Sequence, residues 1–138
     1  MFELNLEREF DASAASLFEA WTNHEIMKLW FAPGNMTVPE VSSNPIEGGQ
    51  YRIVMQEENG EQYIVSGKYL VINPNQEIAF TWQWDGSPHT TKVNVQLTPL
   101  EGNRTRIRLH HSEFTEEEFR DKHNEGWIGC LDNLKKVC

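Results

Sequence analysis

The sequence is poor in the residues that staple, anchor or cut. Of its 138 residues only two are cysteine, Cys130 and Cys138. On a helix their Cα atoms would stand about 12 Å apart, beyond the reach of a disulfide. No apolar stretch of about 18 residues occurs, so no membrane-spanning helix is expected. Nor does a basic segment lead into an apolar run near the start, as an export signal would require. These absences predict a reduced, cytoplasmic protein. Positive charge is scarce as well: 12 Lys and Arg stand against 21 Asp and Glu, a formal net charge of −9. Such a surface repels phosphate backbones and anionic lipid heads, which excludes a general nucleic-acid or membrane-surface binder.

Familiar catalytic signatures are missing too. Gly48-Gly49 precedes a strand pattern rather than a helix, so it reads as a bend and not a phosphate loop. No serine sits in a nucleophile elbow. His110 and His111 are adjacent on a strand pattern, so their side chains point to opposite faces and cannot chelate one ion. His123 can face His111, but that pair lacks a third ligand, and no metal or cofactor is expected. Cys130 lies two helical turns from His123, about 10 Å along the axis, too far for a thiolate–imidazole pair. Linkers, repeats and low-complexity tracts are absent, and the chain reads as a single domain over residues 1–138.

What the sequence has in excess is aromatic side chains: five Trp, seven Phe and three Tyr. A chain of this mass should expose about 7,400 Å² when folded and bury about two-thirds of its unfolded surface. That is enough for a core without staples. Phe2, Leu4, Leu6, Arg8 and Phe10 share one side of an alternating strand. Arg8 is thus a cation on an inner face, best answered by a structural ion pair. Ser13 then offers an N-cap for a helix carrying Ala14, Leu17, Phe18 and Trp21. Asn23 restarts a second short helix with Ile26, Met27 and Trp30, ended by Pro33 and Gly34.

From about residue 36 the pattern is β throughout. Tyr51, Ile53 and Met55 alternate with polar neighbours, and Asn59-Gly60 marks a hairpin turn. Residues 62–72 are apolar on both parities, which a bulge near Gly67 would explain. Ile78, Phe80, Trp82 and Trp84 share a face, as do Val93, Val95 and Leu97, and then Thr105, Ile107, Leu109 and His111. Arg104, Arg106 and Arg108 point outward, where acidic neighbours can answer them. Short turns between these strands make them antiparallel.

Thr115 and Glu118 form a capping-box signature for a closing helix. Its apolar stripe is Phe119, His123, Trp127, Cys130, Leu131, Leu134 and Val137. Gly126 and Gly129 each cost this helix about 1 kcal/mol relative to alanine. Close approach of another backbone, or open space, is expected beside them. The fold class is α+β: a curved antiparallel sheet wrapped around a long C-terminal helix, with two short helices after the first strand.

Arg8-x-Phe10, Ala20-Trp21-Thr22, Leu29-Trp30-Phe31-Ala32-Pro33 and Gly48-Gly49-Gln50-Tyr51-Arg52 follow in order. They continue with Gly67-Lys68-Tyr69 before Asn73-Pro74, Phe80-Thr81-Trp82, and His123-x-x-Gly126-Trp127 with Leu131 and Leu134. This series resembles the activator-of-Hsp90-ATPase-like (AHSA1-like) branch of the START/Bet v 1-like (SRPBCC) superfamily, over nearly the whole chain. The resemblance implies a helix-grip fold with a cavity between sheet and C-terminal helix. Relatives in that superfamily bind lipids or hormones, cyclise polyketides or serve as chaperone cofactors. No second domain of the kind that docks co-chaperones on Hsp90 is expected after Leu134.

The resulting expectation is a module that binds an apolar or aromatic small molecule. Its candidate lining is Trp30, Tyr51, Ile53, Met55, Phe80, Trp82, Val95, Leu109, His111, Phe119, His123 and Trp127. Parity cannot tell a hollow interior from a full one, so ordinary core packing stays open for each of these residues. Two other readings also stay open. One is a cofactor-free cyclase or aromatase that moves protons with His111, His123 or a tyrosine. The other is a partner module for an Hsp90-type chaperone through the acidic outer face. A homodimer through the sheet or the helix suits such a fold.

Overall fold

Alternation in the sequence becomes seven strands in the computed structural model, which describes residues 1–138. They are β1 (Phe2–Phe10), β2 (Thr37–Ser43), β3 (Gln50–Gln56), β4 (Gln62–Asn73), β5 (Glu77–Trp84), β6 (Thr91–Leu100) and β7 (Arg104–Phe114). The helices are α1 (Ala14–Thr22), α2 (His24–Met27) and α3 (Glu117–Val137). One sheet holds all the strands in the order β1-β7-β6-β5-β4-β3-β2, and every neighbouring pair is antiparallel. β1 and β2 are consecutive in sequence yet occupy opposite edges. The chain between them must therefore cross the full width of the sheet, and α1 and α2 make that crossing.

Local chemistry sets the helix boundaries. Ser13 caps α1 through the Ser16 N–H, and Asn23 caps α2 through the Glu25 N–H. Trp30 lies just beyond α2 and donates its indole N–H to Ala20 O at 2.9 Å, tying the crossing segment to itself. The expected capping box of Thr115 and Glu118 does not form. The N-cap is Glu116, which makes no side-chain cap bond, and Glu117 and Glu118 instead meet the positive end of the helix dipole.

The ambiguous stretch in β4 resolves through a bulge, placed at Leu70 and not at Gly67. Register shifts between Tyr69 and Val71, so Val65 and Tyr69 face inward before it and Ile72 packs on the core after it. Gly67 has a different task. A Cβ there would stand 2.0 Å from Thr81 O, so only glycine lets β4 close onto β5 at this bend. In the β3–β4 hairpin only Gly60, and not Asn59, takes the positive φ.

A cluster of 30 buried residues from sheet and helices forms the core. The accessible surface is 7436 Å², in line with a well-packed chain of this mass. From α3, Trp127, Cys130, Leu131 and Leu134 are buried. The stripe is narrower than its sequence pattern, because Phe119 and Val137 are 42% and 39% exposed. Arg8 pairs with Asp132 of α3 at 2.8 Å, which is how the inner face of an edge strand accommodates a cation. On the outer face Arg106 meets Glu7 at 3.1 Å and Glu9 at 3.3 Å, while Arg104 pairs with Glu9 and Arg108 with Glu7. These partners hold the Glu9 carboxyl below its usual range, Arg106 foremost.

Candidate functional site

The sheet–helix interface is packed solid at one end and indented by an open cleft at the other. Trp21, Met27, Phe31, Tyr51, Ile53, Tyr69 and Phe80 close on one another and leave no room for a water molecule. Tyr51 stacks edge-on against Phe80 at 5.3 Å and donates its hydroxyl to Thr81 O. The Tyr69 and Ser43 hydroxyls are 2.7 Å apart, and Ser43 donates to Thr22 O. Burial raises both phenol pKa values, so these tyrosines act as neutral struts.

Towards the other end a cleft of about 220 Å³ opens between β5 and α3. Strands contribute Met55, Trp82 and Trp84, and the loop after α2 contributes Pro33. α3 contributes Lys122, His123, Gly126, Trp127 and Cys130, which recur at helical spacing and so share one face. The two helix glycines realise both expected alternatives. A Cβ on Gly126 would meet nothing within 4 Å, so that glycine opens the cleft. One on Gly129 would stand 3.0 Å from Pro33 Cβ, so that glycine lets the loop pack down. Asn133 holds the loop in place by donating to Ala32 O at 2.7 Å and Gly34 O at 3.1 Å.

A second depression of about 260 Å³ adjoins the first and shares Trp82, Trp84 and His123 with it. Its remaining wall includes Thr91, Phe114 and Phe119. Trp84, which borders both, donates its indole N–H to His123 Nε2 at 2.8 Å.

An indole N–H can only donate, and this fixes the tautomers of both imidazoles, the buried His111 and the half-buried His123. Trp127 donates to His111 Nδ1 at 3.0 Å, so His111 carries its proton on Nε2, 2.6 Å from Thr91 Oγ1. Trp84 occupies His123 Nε2, so His123 is protonated on Nδ1 and donates to Phe119 O at 2.7 Å. Burial pushes the His111 pKa down to about 2, helped by the nearby His123 and His110. It lowers that of His123 as well. The two rings lie 5.3 Å apart, neutral and fully bonded. Neither offers a free nitrogen for proton transfer. Cys130 is equally quiet, since full burial raises its thiol pKa.

Of the residues singled out from the sequence, Met55, Trp82, His123 and Trp127 come together at the cleft. Phe119 edges the second depression, and His111 is buried behind Trp127. Tyr51, Ile53 and Phe80 belong to the filled end; Trp30, Val95 and Leu109 are enclosed in the core. Sequence reasoning missed Pro33, Trp84, Lys122, Gly126 and Cys130 as wall residues. For Trp84 the signal was its shared parity with Trp82, and for Gly126 its cost to the helix. Nothing local marks Pro33 or Lys122. No three His, Cys, Asp or Glu side chains gather as a metal site would need, and no helix is long and apolar enough to cross a membrane.

A family model described as activator of Hsp90 ATPase homolog 1-like protein matches residues 11–138. Among solved structures, the AHSA1 protein of Silicibacter pomeroyi is 28% identical, with a TM-score of 0.89 over 99% of this chain and 96% of its own. A Chromobacterium violaceum protein at 19% identity has a TM-score of 0.89, covering 99% of this chain and 97% of its own. A Nitrosomonas europaea protein at 22% identity has a TM-score of 0.84, covering 98% and 92%. The latter two likenesses show the fold alone. No curated protein matches the chain.

Proposed function

Since this chain belongs to the activator of Hsp90 ATPase homolog 1-like family, we propose that it serves as a helix-grip binding module, a single domain that holds a small aromatic or apolar molecule between β5 and α3. The observation that carries this reading is Gly126. A bare glycine in the middle of a long helix sacrifices helix stability of about 1 kcal/mol, and here nothing stands opposite it but the cleft. The walls are apolar and aromatic, and a space of about 220 Å³, smaller than the roughly 300–1,000 Å³ of drug-sized pockets, matches one ring or two fused rings and not a long lipid chain. The cyclase reading finds less support, because both candidate histidines have their ring nitrogens engaged.

Gly126→Leu separates binding from folding. Leucine is the better helix former by about 0.8 kcal/mol, and its side chain would fill the cleft. The native protein should bind indole or naphthalene with one molecule per chain, by native mass spectrometry and calorimetry. The variant should melt no lower than the parent and lose that binding. Failure of the parent protein to bind either probe, or equal binding by a folded Gly126→Leu variant, would sink the reading.

A further inference from the structure

The depression of about 260 Å³ differs in charge from the cleft beside it. Its walls include Trp82, Trp84, Phe114 and Phe119, and a single acidic residue, Glu113. No Lys or Arg lines it. Lys122 borders the neighbouring cleft instead, and its Nζ lies 3.4 Å from Glu118. Helix α3 begins alongside, but Glu116, Glu117 and Glu118 already answer its positive end.

Glu113 is held in a strained backbone conformation. One residue separates Phe2 from Leu4 on β1, whereas two separate their partners Phe114 and His111 on β7. This bulge sets the His111 and Phe114 rings side by side, centroids 4.3 Å apart, and it leaves Glu113 at φ +73°. The left-handed region suits glycine and, less well, asparagine. The chain's other non-glycine residues there are Asn75 and Asn103. Glutamate has neither advantage, and no partner holds it. The arginines all pair with other carboxylates, while Glu113 is exposed and has no ion pair. Strained residues of this kind cluster at ligand sites.

We propose that this depression is a second ligand site, one that takes a small organic ammonium ion. An ammonium group is attracted by an aromatic ring within about 6 Å of the ring centroid. Trp82 and Trp84 stand perpendicular, centroids 5.6 Å apart, and Phe114 adjoins His123 at 5.0 Å, so a guest meets rings on several sides. A sphere of the depression's volume has a radius of about 4 Å, so a charge inside it lies within about one Debye length of the Glu113 wall in physiological salt. The formal net charge of −9 draws a cation in and turns an anion away. The site shares Trp82, Trp84 and His123 with the cleft but does not depend on the cleft's ligand.

Calorimetric titration with phenethylammonium, 2-phenylethanol and phenylacetate tests this, three compounds of similar shape and different charge. The cation should bind about tenfold more tightly than the alcohol, the combined gain of a cation–π contact and a screened ion pair. Phenylacetate should bind more weakly than either. Glu113→Gln, or about 1 M salt on the unmodified protein, should reduce the tenfold ratio to about threefold. Glu113→Gly should lose the same share of the advantage yet melt no lower than the parent, because glycine adopts this φ freely. In the ¹⁵N-labelled protein the cation should shift the amide resonances of Glu113, Phe114 and Thr115 more than those of Gly126 and Cys130. Equal affinity for the three compounds overturns the proposal, as does an advantage that Glu113→Gln and salt both leave whole. Shifts confined to Gly126 and Cys130 also overturn it, by placing the cation in the cleft. Absence of phenethylammonium binding in a protein that still binds indole removes this site alone and leaves the cleft's function standing.

Discussion

Gly129 packs against Pro33 so closely that a Cβ on the glycine would stand 3.0 Å from Pro33 Cβ and 3.1 Å from its Cα. Three residues earlier Gly126 faces open space. The same substitution should therefore have opposite signs at these positions. Gly126→Ala should stabilise the protein by about 1 kcal/mol through helix propensity. At Gly129 the crowded atoms include backbone, so overpacking should outweigh that gain and leave Gly129→Ala destabilised by about 1 kcal/mol. Urea unfolding of both variants measures the contrast.

Asn133 fastens the loop that Gly129 lets in. Its amide donates to two carbonyls, Ala32 O and Gly34 O. Asn133→Ala should cost about 1–2 kcal/mol by leaving those acceptors without their partner. Hydrogen exchange should rise first in the loop around Pro33, before it rises in the sheet.

His111 should make the fold acid-sensitive. Its folded pKa, about 2, lies far below the ordinary histidine value of 6.5. Between those values the unfolded chain binds a proton that the folded chain refuses, so stability falls as pH falls. The slope approaches about 1.4 kcal/mol per pH unit for such a histidine, and His123 adds in the same direction. His111→Asn keeps an acceptor near Trp127 and removes the titrating ring. Melting curves from about pH 6.5 to about pH 5 should show a shallower fall in this variant.

The Arg8–Asp132 bridge should matter less than its position suggests. Arg8 is 28% exposed at the side chain and Asp132 58%, so water screens the pair. Asp132→Asn should cost no more than about 1 kcal/mol, and a double-mutant cycle with Arg8→Met should shrink in high salt.

The strands were legible in the sequence because their burial is a matter of parity, and parity survives without knowledge of partners. Ile78, Phe80, Trp82 and Trp84 declared their common face that way, and Ser13 and Asn23 declared their helix starts by cap chemistry. The bulge at Leu70 was less legible, because residues with apolar neighbours on both sides carry no parity. The family's order of motifs pointed to a sheet–helix cavity but not to its position. Whether an aromatic fills or lines depends on what stands opposite, and that is set by the path of residues 11–36 across the sheet. Tyr51 and Trp82 look alike in sequence; the crossing segment covers one and leaves the other beside open space. The indole–imidazole bonds that neutralise His111 and His123 join residues far apart in the chain, and no local pattern announces them.

All five tryptophans form an unbroken series from Trp30 to Trp21, Trp127, Trp82 and Trp84, with successive centroids 4.7, 5.9, 5.1 and 5.6 Å apart. At such spacings resonance transfer between indoles competes with emission, so the fluorescence of each ring reports on its neighbours. Near-ultraviolet circular dichroism should show coupled indole bands that vanish on unfolding. A quencher seated against Trp84 drains light absorbed as far away as Trp30, in the closed plug at the other end of the series.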